Sequence, residues 1–245
     1  MKRIMTVDLE PDVDGRFRSL TESVPKLLNY FDDQKIKATF FTVSSLLEKH
    51  ENLIKEISKK HEIASHSHTH SILNPANTSW EIRHSKEVFK RYGIDVKGFR
   101  APKFITTKNH FKLLKEHGYS YDSSLARYFP GRYANWSMKG KPFVKDGMVE
   151  FPSSNFLWPA VDAGLPYLKL LHPVSKVFPK PYMFYLHPWE FLEGIEDKRF
   201  VGKLLQRNAG RKAIEIFRNY VEGEKWIGCA DWMKANKKKI IPMKE

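Results

Sequence analysis

Three histidines lie within five residues of the sequence, at His66, His68 and His70. Imidazole nitrogens are common ligands of transition metals, and two of them one helical turn apart can bind one ion from the same side. If a helix begins at Ser67, His66 and His70 share a face and His68 points elsewhere. The spacing therefore predicts a metal site with His66 and His70 as ligands. The competing interpretation is a polar loop in which histidine happens to recur.

The elements that must position these histidines follow from the apolar pattern. Strands are predicted at residues 4–8, 38–43, 62–65, 98–100, 119–122, 148–151 and 182–187. Helices are predicted at residues 20–31, 45–60, 79–92, 107–118, 198–222 and 228–238. Strands that alternate with helices imply a parallel sheet. About seven such units predict an α/β fold, a TIM-barrel-like parallel (β/α) barrel or a distorted form of one.

Polar residues stand at the ends of these predicted strands. Five of them lie at or just past a carboxyl-terminal strand end: Asp8, His66, Arg100, Asp122 and His187. In α/β barrels this rim holds the active site. Buried polar and charged groups at five strand ends are costly unless they are paired or bind a ligand. The placement therefore predicts one shared functional site.

Four short motifs contain most of these residues. They are Thr6-Val7-Asp8-Leu9-Glu10, His66-Ser67-His68-Thr69-His70, Arg100-Ala101-Pro102-Lys103-Phe104 and Leu186-His187-Pro188. In order and approximate spacing they resemble the motifs of the NodB-type polysaccharide deacetylases, and Lys37-Ala38-Thr39-Phe40-Phe41 is similar to the second strand of that family. The resemblance covers roughly residues 2 to 190 and implies a distorted seven-stranded barrel.

The resemblance also implies a reaction, the metal-dependent removal of an acyl group from an amino-sugar nitrogen. His66 and His70 match the metal-ligating pair of the family. Asp8 matches its general base, and Arg100 matches the arginine that holds this carboxylate. His187 matches the general acid.

Three further residues receive roles through the same resemblance. Lys103 stands where a backbone N–H helps to bind the oxyanion, and Leu186 is expected to line the acyl pocket. The fourth motif of the family is blurred here, and Tyr121-Asp122-Ser123-Ser124 lies in its place. Asp122 is therefore the expected partner of the protonated His187.

The third metal ligand departs from the family pattern. Leu9 stands where the family has a ligating aspartate, and an aliphatic side chain cannot ligate. Glu10 is two residues from Asp8, so on a strand it shares the face of Asp8 and can supply the missing oxygen. Asp12 and Asp14 in the following loop are the alternatives that the sequence leaves open.

Two imidazoles and a carboxylate suit one divalent ion that keeps open positions for water and substrate. We expect zinc, with cobalt, manganese, nickel and iron as alternatives. Such an ion polarises an amide carbonyl and lowers the pKa of bound water.

Composition bears on domain organisation and location. The chain has 245 residues and a formal net charge of +14. We interpret residues 1–245 as one catalytic domain with a basic helical C-terminal extension from about residue 198 to 245. The first eight residues are charged too early for a signal peptide, and no apolar run is long enough for a membrane span. With the single Cys229, these features favour a cytoplasmic location.

The expected substrate is an N-acylated sugar, and a cytoplasmic location points to a precursor rather than a finished polymer. The positive charge favours a phosphate-bearing or lipid-linked substrate and a peripheral contact with an acidic membrane. No specific nucleic acid is predicted. The irregular segments 125–147 and 153–180 are expected to shape the substrate groove.

Two other functions fit part of the pattern. A metal-dependent phosphoesterase can also carry His-x-His-x-His, although such sites usually collect further ligands for two or three ions. A non-catalytic basic module that binds nucleic acid or acidic membrane would explain Leu9, because it needs no metal.

Overall fold

A computed structural model describes residues 2–126, 140–157, 161–195 and 200–236. Parts of the two segments predicted to shape the groove, residues 127–139 and 158–160, therefore lie outside the described residues. The same holds for residues 237–245 of the basic tail. In the described ranges, no helix is long and apolar enough to cross a membrane.

The described strands run in chain order as β1 Lys2–Leu9, β2 Thr39–Thr42, β3 Glu62–Ser65, β4 Gly98–Phe99, β5 Tyr121–Asp122, β6 Phe143–Lys145, β7 Met148–Glu150, β8 Asn155–Leu157, β9 Val161–Asp162, β10 Met183–Leu186 and β11 Lys225–Ile227. The described helices are α1 Arg18–Glu22, α2 Val24–Asp33, α3 Leu47–Ser58, α4 Thr78–Arg91, α5 His110–Glu116, α6 Leu165–Leu170, α7 Phe200–Leu205, α8 Arg211–Val221 and α9 Cys229–Asn236.

The main sheet has nine strands within the described part of the chain. Its order is β10-β1-β2-β3-β4-β5-β7-β6, and β11 pairs with the first residues of β1. All its pairs are parallel except β6 with β7. The curled, mostly parallel sheet with helices confirms the predicted (β/α) barrel class, although its strand count exceeds the predicted seven. β8 and β9 form a separate antiparallel pair.

The two faces of the sheet bury two different apolar cores. One core lies between strands and helices and contains Val7 of β1 and Phe184 of β10. The other contains residues from several strands on the opposite face, among them Ile4, Phe41 and Tyr121. Because side chains alternate along a strand, Thr6 and Asp8 share the face of Ile4, whereas Val7 and Leu9 share the helix-covered face.

The C-terminal part of the chain closes the second core from one end. Cys229 and Trp232 of α9 belong to this core, and the Trp232 ring lies 5.4 Å from that of Phe151. The single helical stretch predicted at 198–222 is wrong, because the structure has α7 and α8 there, separated by residues 206–210. At Gly210 the backbone has a φ of +67°, which glycine adopts without the strain that a side chain brings. That the chain is one catalytic domain stays a prediction.

Candidate metal centre and active site

Two histidines and a glutamate converge at the carboxyl ends of β1 and β3. The Nε2 atom of His70 lies 2.6 Å from Oε2 of Glu10, and Nε2 of His66 lies 3.4 Å from the same oxygen. One ligand atom from each residue lies within 4.8 Å of the other two. Glu10 and His66 are buried, and His70 is partly exposed. The structure therefore brings together His66, His70 and Glu10, as predicted.

The predicted helix at Ser67 is wrong, because His66 to His70 form a loop. Ser67 and His70 have φ values of +65° and +64°, in the left-handed region that no α-helix uses. The Glu81 carboxylate of α4 accepts the backbone N–H groups of His68 and Thr69, at 2.8 and 3.0 Å. These bonds take the place of helical ones, and the loop still places the His66 and His70 rings 4.9 Å apart.

His68 points away from the cluster, as predicted. Its Nδ1 forms a 2.9 Å hydrogen bond with the Ser44 hydroxyl, and its ring contacts those of Trp80 and His84.

The donor set fits a divalent transition metal. Nδ1 of His66 lies 2.8 Å from the carbonyl oxygen of Arg100. A carbonyl can only accept, so Nδ1 donates to it, and Nε2 is the ring nitrogen that faces Glu10 and His70. Backbone partners of this kind orient the imidazole ligands of metals. Two neutral imidazoles and one carboxylate would leave further coordination positions for water and substrate.

The charges around Glu10 also favour a metal site. Burial raises the pKa of Glu10. The charges of His70 and His187 and the hydrogen bonds from His66 and His70 outweigh burial, and they hold the pKa well below its usual range. Burial lowers the pKa of His70, but the charge of Glu10 outweighs burial, so the pKa of His70 is raised. The cluster therefore contains an ionised carboxylate between two imidazoles, which is the electrostatic environment that a cation would stabilise.

The two alternative ligands are engaged elsewhere. Asp12 accepts the backbone N–H groups of Arg18 and Ser19 at the start of α1. Asp14 accepts hydrogen bonds from the guanidinium of Arg16, the shorter at 2.6 Å. Of the three carboxylates that the sequence left open, only Glu10 reaches the histidines.

Asp8 is held by a buried arginine. Nη1 of Arg100 donates to Oδ1 of Asp8 at 2.6 Å and to the Thr6 hydroxyl at 3.1 Å. The other end of the guanidinium donates to the Ser123 hydroxyl at 2.9 Å, and the Phe41 ring lies 4.0 Å from the guanidinium carbon. Arg100 is fully buried, so this set of partners fixes the guanidinium and, through it, Asp8. The predicted pairing of Arg100 with Asp8 is found.

His187 faces Asp8 and Glu10 from the end of β10. Its Nε2 lies 3.8 Å from Oδ2 of Asp8 and 3.9 Å from Oε1 of Glu10. The Trp189 ring stacks on the imidazole, with 4.6 Å between ring centroids. Burial lowers the pKa of His187, but the carboxylates of Glu10, Glu190 and Asp8 outweigh burial and raise the pKa to about 9. The ring is therefore protonated near neutral pH.

The predicted partner of His187 is wrong. Nδ1 of His187 lies 3.1 Å from Oε1 of Glu190, three residues along the chain. Asp122 instead lies 3.2 Å from Nε2 of His110 and accepts the Ser124 hydroxyl at 2.6 Å. Alternation explains the error, because Asp122 on β5 points towards α5, while its neighbour Ser123 points to the site.

Asp122 belongs to a buried acid pair. Burial raises the pKa of Glu150, and the neighbouring Asp122 raises it further, which favours the protonated form of Glu150. Burial raises the pKa of Asp122, but His110 and the hydrogen bonds of Glu150 and Ser124 lower it below its usual value. The pair is part of the packing between β5, β7 and α5.

These residues surround a cleft of about 490 Å³. Its lining includes Asp8, Glu10, His66, His70 and His187, together with Lys103, Phe104, Tyr167, Tyr185 and Trp189. Leu186, predicted to line the acyl pocket, does not do so. It is fully buried in the core between sheet and helices, because its neighbours Tyr185 and His187 occupy the cleft face of β10.

Lys103 is at the cleft, as predicted for an oxyanion-binding position. Lys103 and Phe104 have φ values of +55° and +56°. Left-handed backbone at residues other than glycine costs free energy and clusters at functional sites. This turn orients the backbone of Lys103 at the rim of the cleft.

Comparison with known proteins starts from the sequence. A family model described as polysaccharide deacetylase matches residues 4–121, just under half of the chain. This range contains Asp8, Glu10, both metal-site histidines and Arg100. The sequence matches no curated protein at a significant level.

The fold extends the comparison to the whole chain. A structure described as a polysaccharide deacetylase from Mycobacterium smegmatis has a TM-score of 0.63 and 19% identity, over 100% of this chain and 94% of the other. The predicted resemblance to the polysaccharide deacetylases is confirmed. A peptidoglycan N-acetylglucosamine deacetylase solved with a hydroxamic acid has a TM-score of 0.54 and 17% identity, over 94% and 86% of the two chains.

A third structure of similar fold is described as a pseudoenzyme. This CE4 family pseudoenzyme from Bacillus anthracis has a TM-score of 0.53 and 14% identity, over 99% of this chain and 67% of the other. At such identities the likeness shows the fold alone. Activity must therefore be argued from the residues in the cleft.

Three residues of the site were not predicted from the sequence. Glu190 follows His187 at the three-residue spacing of a capping box, a signal that was present in the sequence. Tyr185 lies two residues before His187, so strand alternation could have placed it in the cleft. Trp189 donates its indole N–H to Glu10, a contact that no local pattern could predict.

Proposed function

We propose that this protein is a metal-dependent hydrolase that removes an N-acyl group, with acetyl as the expected group, from an amino sugar. One observation carries the proposal. Asp8, fixed by Arg100, and His187 face each other beside the cluster of Glu10, His66 and His70. A base, an acid and a metal-binding triad in one cleft are the groups that amide hydrolysis needs.

Glu10, His66 and His70 would hold the metal. When bound, a divalent ion supplies Lewis acidity, which lowers the pKa of water and polarises a carbonyl. The protein residues must then move two protons. Asp8 accepts a proton from water as the water oxygen bonds to the acyl carbon. Arg100 holds Oδ1 of Asp8, which leaves Oδ2 towards the space that it shares with His187.

The second proton goes to the leaving nitrogen. An amine cannot depart as an anion, so the C–N bond breaks only as the nitrogen gains a proton. His187 is placed for this step, because its Nε2 faces the space beside Asp8 and its raised pKa keeps the ring protonated. The products are a carboxylic acid and a free amine. The backbone N–H of Lys103 is proposed to donate to the oxyanion that forms on the acyl carbonyl oxygen.

The substrate class rests on the lining of the cleft and on the family. Tyr185, Phe104, Tyr167 and Trp189 give the cleft aromatic surface, on which sugar rings commonly pack. Among the described lining residues, Lys103 is the one lysine or arginine, so the cleft itself offers little for a phosphate. A phosphate-bearing or lipid-linked substrate, an acidic membrane contact and a cytoplasmic location stay predictions.

The test is amine release from an acetylated amino sugar. Purified protein is stripped with a chelator, reloaded separately with zinc, cobalt, manganese, nickel or iron, and incubated with penta-N-acetylchitopentaose or a peptidoglycan fragment. We expect release of free amine and acetate that needs the metal. Asp8→Asn should lower the rate about 100-fold or more. Asp14→Asn is the matched control, because Asp14 pairs with exposed Arg16 on the protein surface.

The same assay separates the alternatives. Phosphate release from a generic phosphoester, with no amine release from either acetylated sugar, would identify a phosphoesterase. Failure to bind any of the five metals, together with salt-sensitive binding to nucleic acid or acidic vesicles, would identify a basic binding module.

A further inference from the structure

Behind the cleft lies an ion pair that the proposed chemistry does not use. Nζ of Lys169 on α6 lies 3.1 Å from Oε2 of Glu190, and both side chains are fully buried. Burial of two charges is costly unless partners compensate, and an apolar pair would often serve stability as well. Among the described residues, Glu190 is the one carboxylate paired with Lys169. A pair so costly to bury calls for a reason beyond packing.

The other oxygen of Glu190 supplies that reason. Oε1 accepts the backbone N–H of His187 at 3.0 Å and lies 3.1 Å from Nδ1 of the same residue. Nδ1 of His187 is therefore the ring nitrogen that donates to the carboxylate oxygen, and Nε2 is the atom turned towards Asp8. The carboxylate therefore fixes both the orientation of the imidazole and the nitrogen that meets the substrate.

The backbone around Glu190 is equally constrained. Glu190 donates its N–H to the carbonyl of His187, and its own carbonyl accepts the N–H of Gly210 at 3.0 Å. Pro188 begins the short 3-10 turn that contains Glu190. Asn208, which follows α7, donates its side-chain amide to the carbonyl of Lys169 at 2.8 Å. The segment after α7 is thus bonded to both members of the ion pair.

We propose that Glu190, anchored by Lys169, is the positioning residue of His187, the role that the sequence assigned to Asp122. The inference rests on the proposed function, since it presumes that His187 gives a proton to the leaving amine. Glu190 is neither one of the three metal-binding residues nor one of the residues that line the cleft, so it acts through His187. Lys169 holds the carboxylate in place.

The test compares two leaving groups in the zinc-loaded full chain. An amine must be protonated as it leaves, whereas the 4-nitrophenolate of 4-nitrophenyl acetate departs without a proton. Glu190→Gln should therefore lower kcat on penta-N-acetylchitopentaose about 100-fold and change kcat on the aryl ester by less than about threefold. An equal loss on both substrates, or no loss on either, would overturn the proposal.

A double variant separates positioning from stability. Glu190→Gln alone leaves Lys169 buried without its carboxylate, and the chain could lose stability for that reason alone. Lys169→Met with Glu190→Gln replaces the pair by two neutral side chains and should restore the unfolding midpoint. The substrate-selective loss should persist in the double variant. Recovery of amide hydrolysis along with stability would show a structural role and overturn the proposal.

A spectroscopic readout does not depend on activity. A ring N–H that donates to a buried carboxylate gives a downfield proton resonance. We expect such a resonance in the wild type, assigned by its absence in His187→Gln, and its upfield shift or loss in Glu190→Gln. If the wild type hydrolyses neither substrate but shows the resonance, the proposed function fails and the contact stands. Absence of the resonance in an active wild type overturns the positioning role alone.

Discussion

The indole nitrogen of Trp189 donates a 3.0 Å hydrogen bond to Oε1 of Glu10, while Oε2 of the same carboxylate lies 2.6 Å from Nε2 of His70. One oxygen of Glu10 is thus held by the protein and the other faces the histidines. Trp189 also stacks on His187, so a single side chain contacts the metal-binding carboxylate and the proposed general acid.

This contact predicts the effect of Trp189→Phe on metal affinity. The variant keeps most of the aromatic stacking but removes the donor to Glu10. Loss of an outer hydrogen bond to a metal ligand costs about 10- to 100-fold in affinity, so we expect zinc to bind at least about 10-fold more weakly. Chelator competition measures the change. Trp80→Phe, at a partly exposed tryptophan of α4, is the control and should leave zinc affinity unchanged.

Arg100 gives a prediction about stability. Arg100→Met leaves the Asp8 carboxylate buried without its guanidinium, and breaking a buried pair in this way costs about 3–5 kcal/mol. Urea unfolding of the metal-free protein should show a loss of that size. Arg100→Met with Asp8→Asn should recover at least part of it, because no unpaired charge remains. A loss below about 1 kcal/mol in the single variant would contradict the buried pairing.

His61 predicts a loss of stability in acid. Its ring lies between Phe31 and Phe40, and neither ring nitrogen has a hydrogen-bond partner among the described residues. Burial, helped by the charge of Lys37, lowers the pKa of His61 from 6.5 to about 4. The unfolded chain therefore binds the proton first as the pH falls, and stability declines from about pH 6.5 towards pH 4.

The size of that decline is on the order of 2 kcal/mol, after allowance for partial solvent access. His61→Leu should flatten the dependence of the unfolding free energy on pH in this window. His117→Leu, at a partly exposed histidine after α5, is the control and should retain the wild-type slope. Parallel pH profiles for wild type and His61→Leu would contradict the prediction.

Gly164 predicts an effect on the cleft. A Cβ at this position would stand 2.3 Å from Cζ of Tyr185, so the tyrosine ring must move. Gly164→Ala should cost about 1–3 kcal/mol of unfolding free energy by overpacking, and it should raise KM for the acetylated sugar because Tyr185 lines the cleft. Gly140→Ala is the matched control, since its added carbon would meet nothing closer than 3.4 Å.

The order of the motifs and the polar residues at the strand ends predicted the site well, because both follow from the topology of the sheet. Asp8, Arg100 and His187 come from three different strands, and a parallel sheet brings their ends to one rim. Glu10 was predicted as a ligand because Leu9 breaks the family pattern and alternation puts Glu10 on the face of Asp8, with Asp12 and Asp14 left open, and the structure places Glu10 beside His66 and His70. The fold class was predicted because the alternation of strands and helices also reflects the topology.

Errors arose where tertiary contacts override local pattern. The helix expected at Ser67 is replaced by a loop because Glu81, 13 residues beyond His68, accepts its backbone N–H. Asp122 and Leu186 were placed in the site by motif position, yet both point to the opposite face of the sheet. The short β11 was not predicted, because three residues give no usable period.

The pairing of β11 with Lys2–Ile4 sets an order on assembly. The strand that carries Asp8 precedes the other described strands along the chain, yet two of its neighbours, β10 and β11, are the last two described strands. On the ribosome, β1 cannot acquire these neighbours until translation has passed residue 227. The strand that carries Asp8 must therefore stay partly unpaired until all the residues between Leu9 and Lys225 have been made.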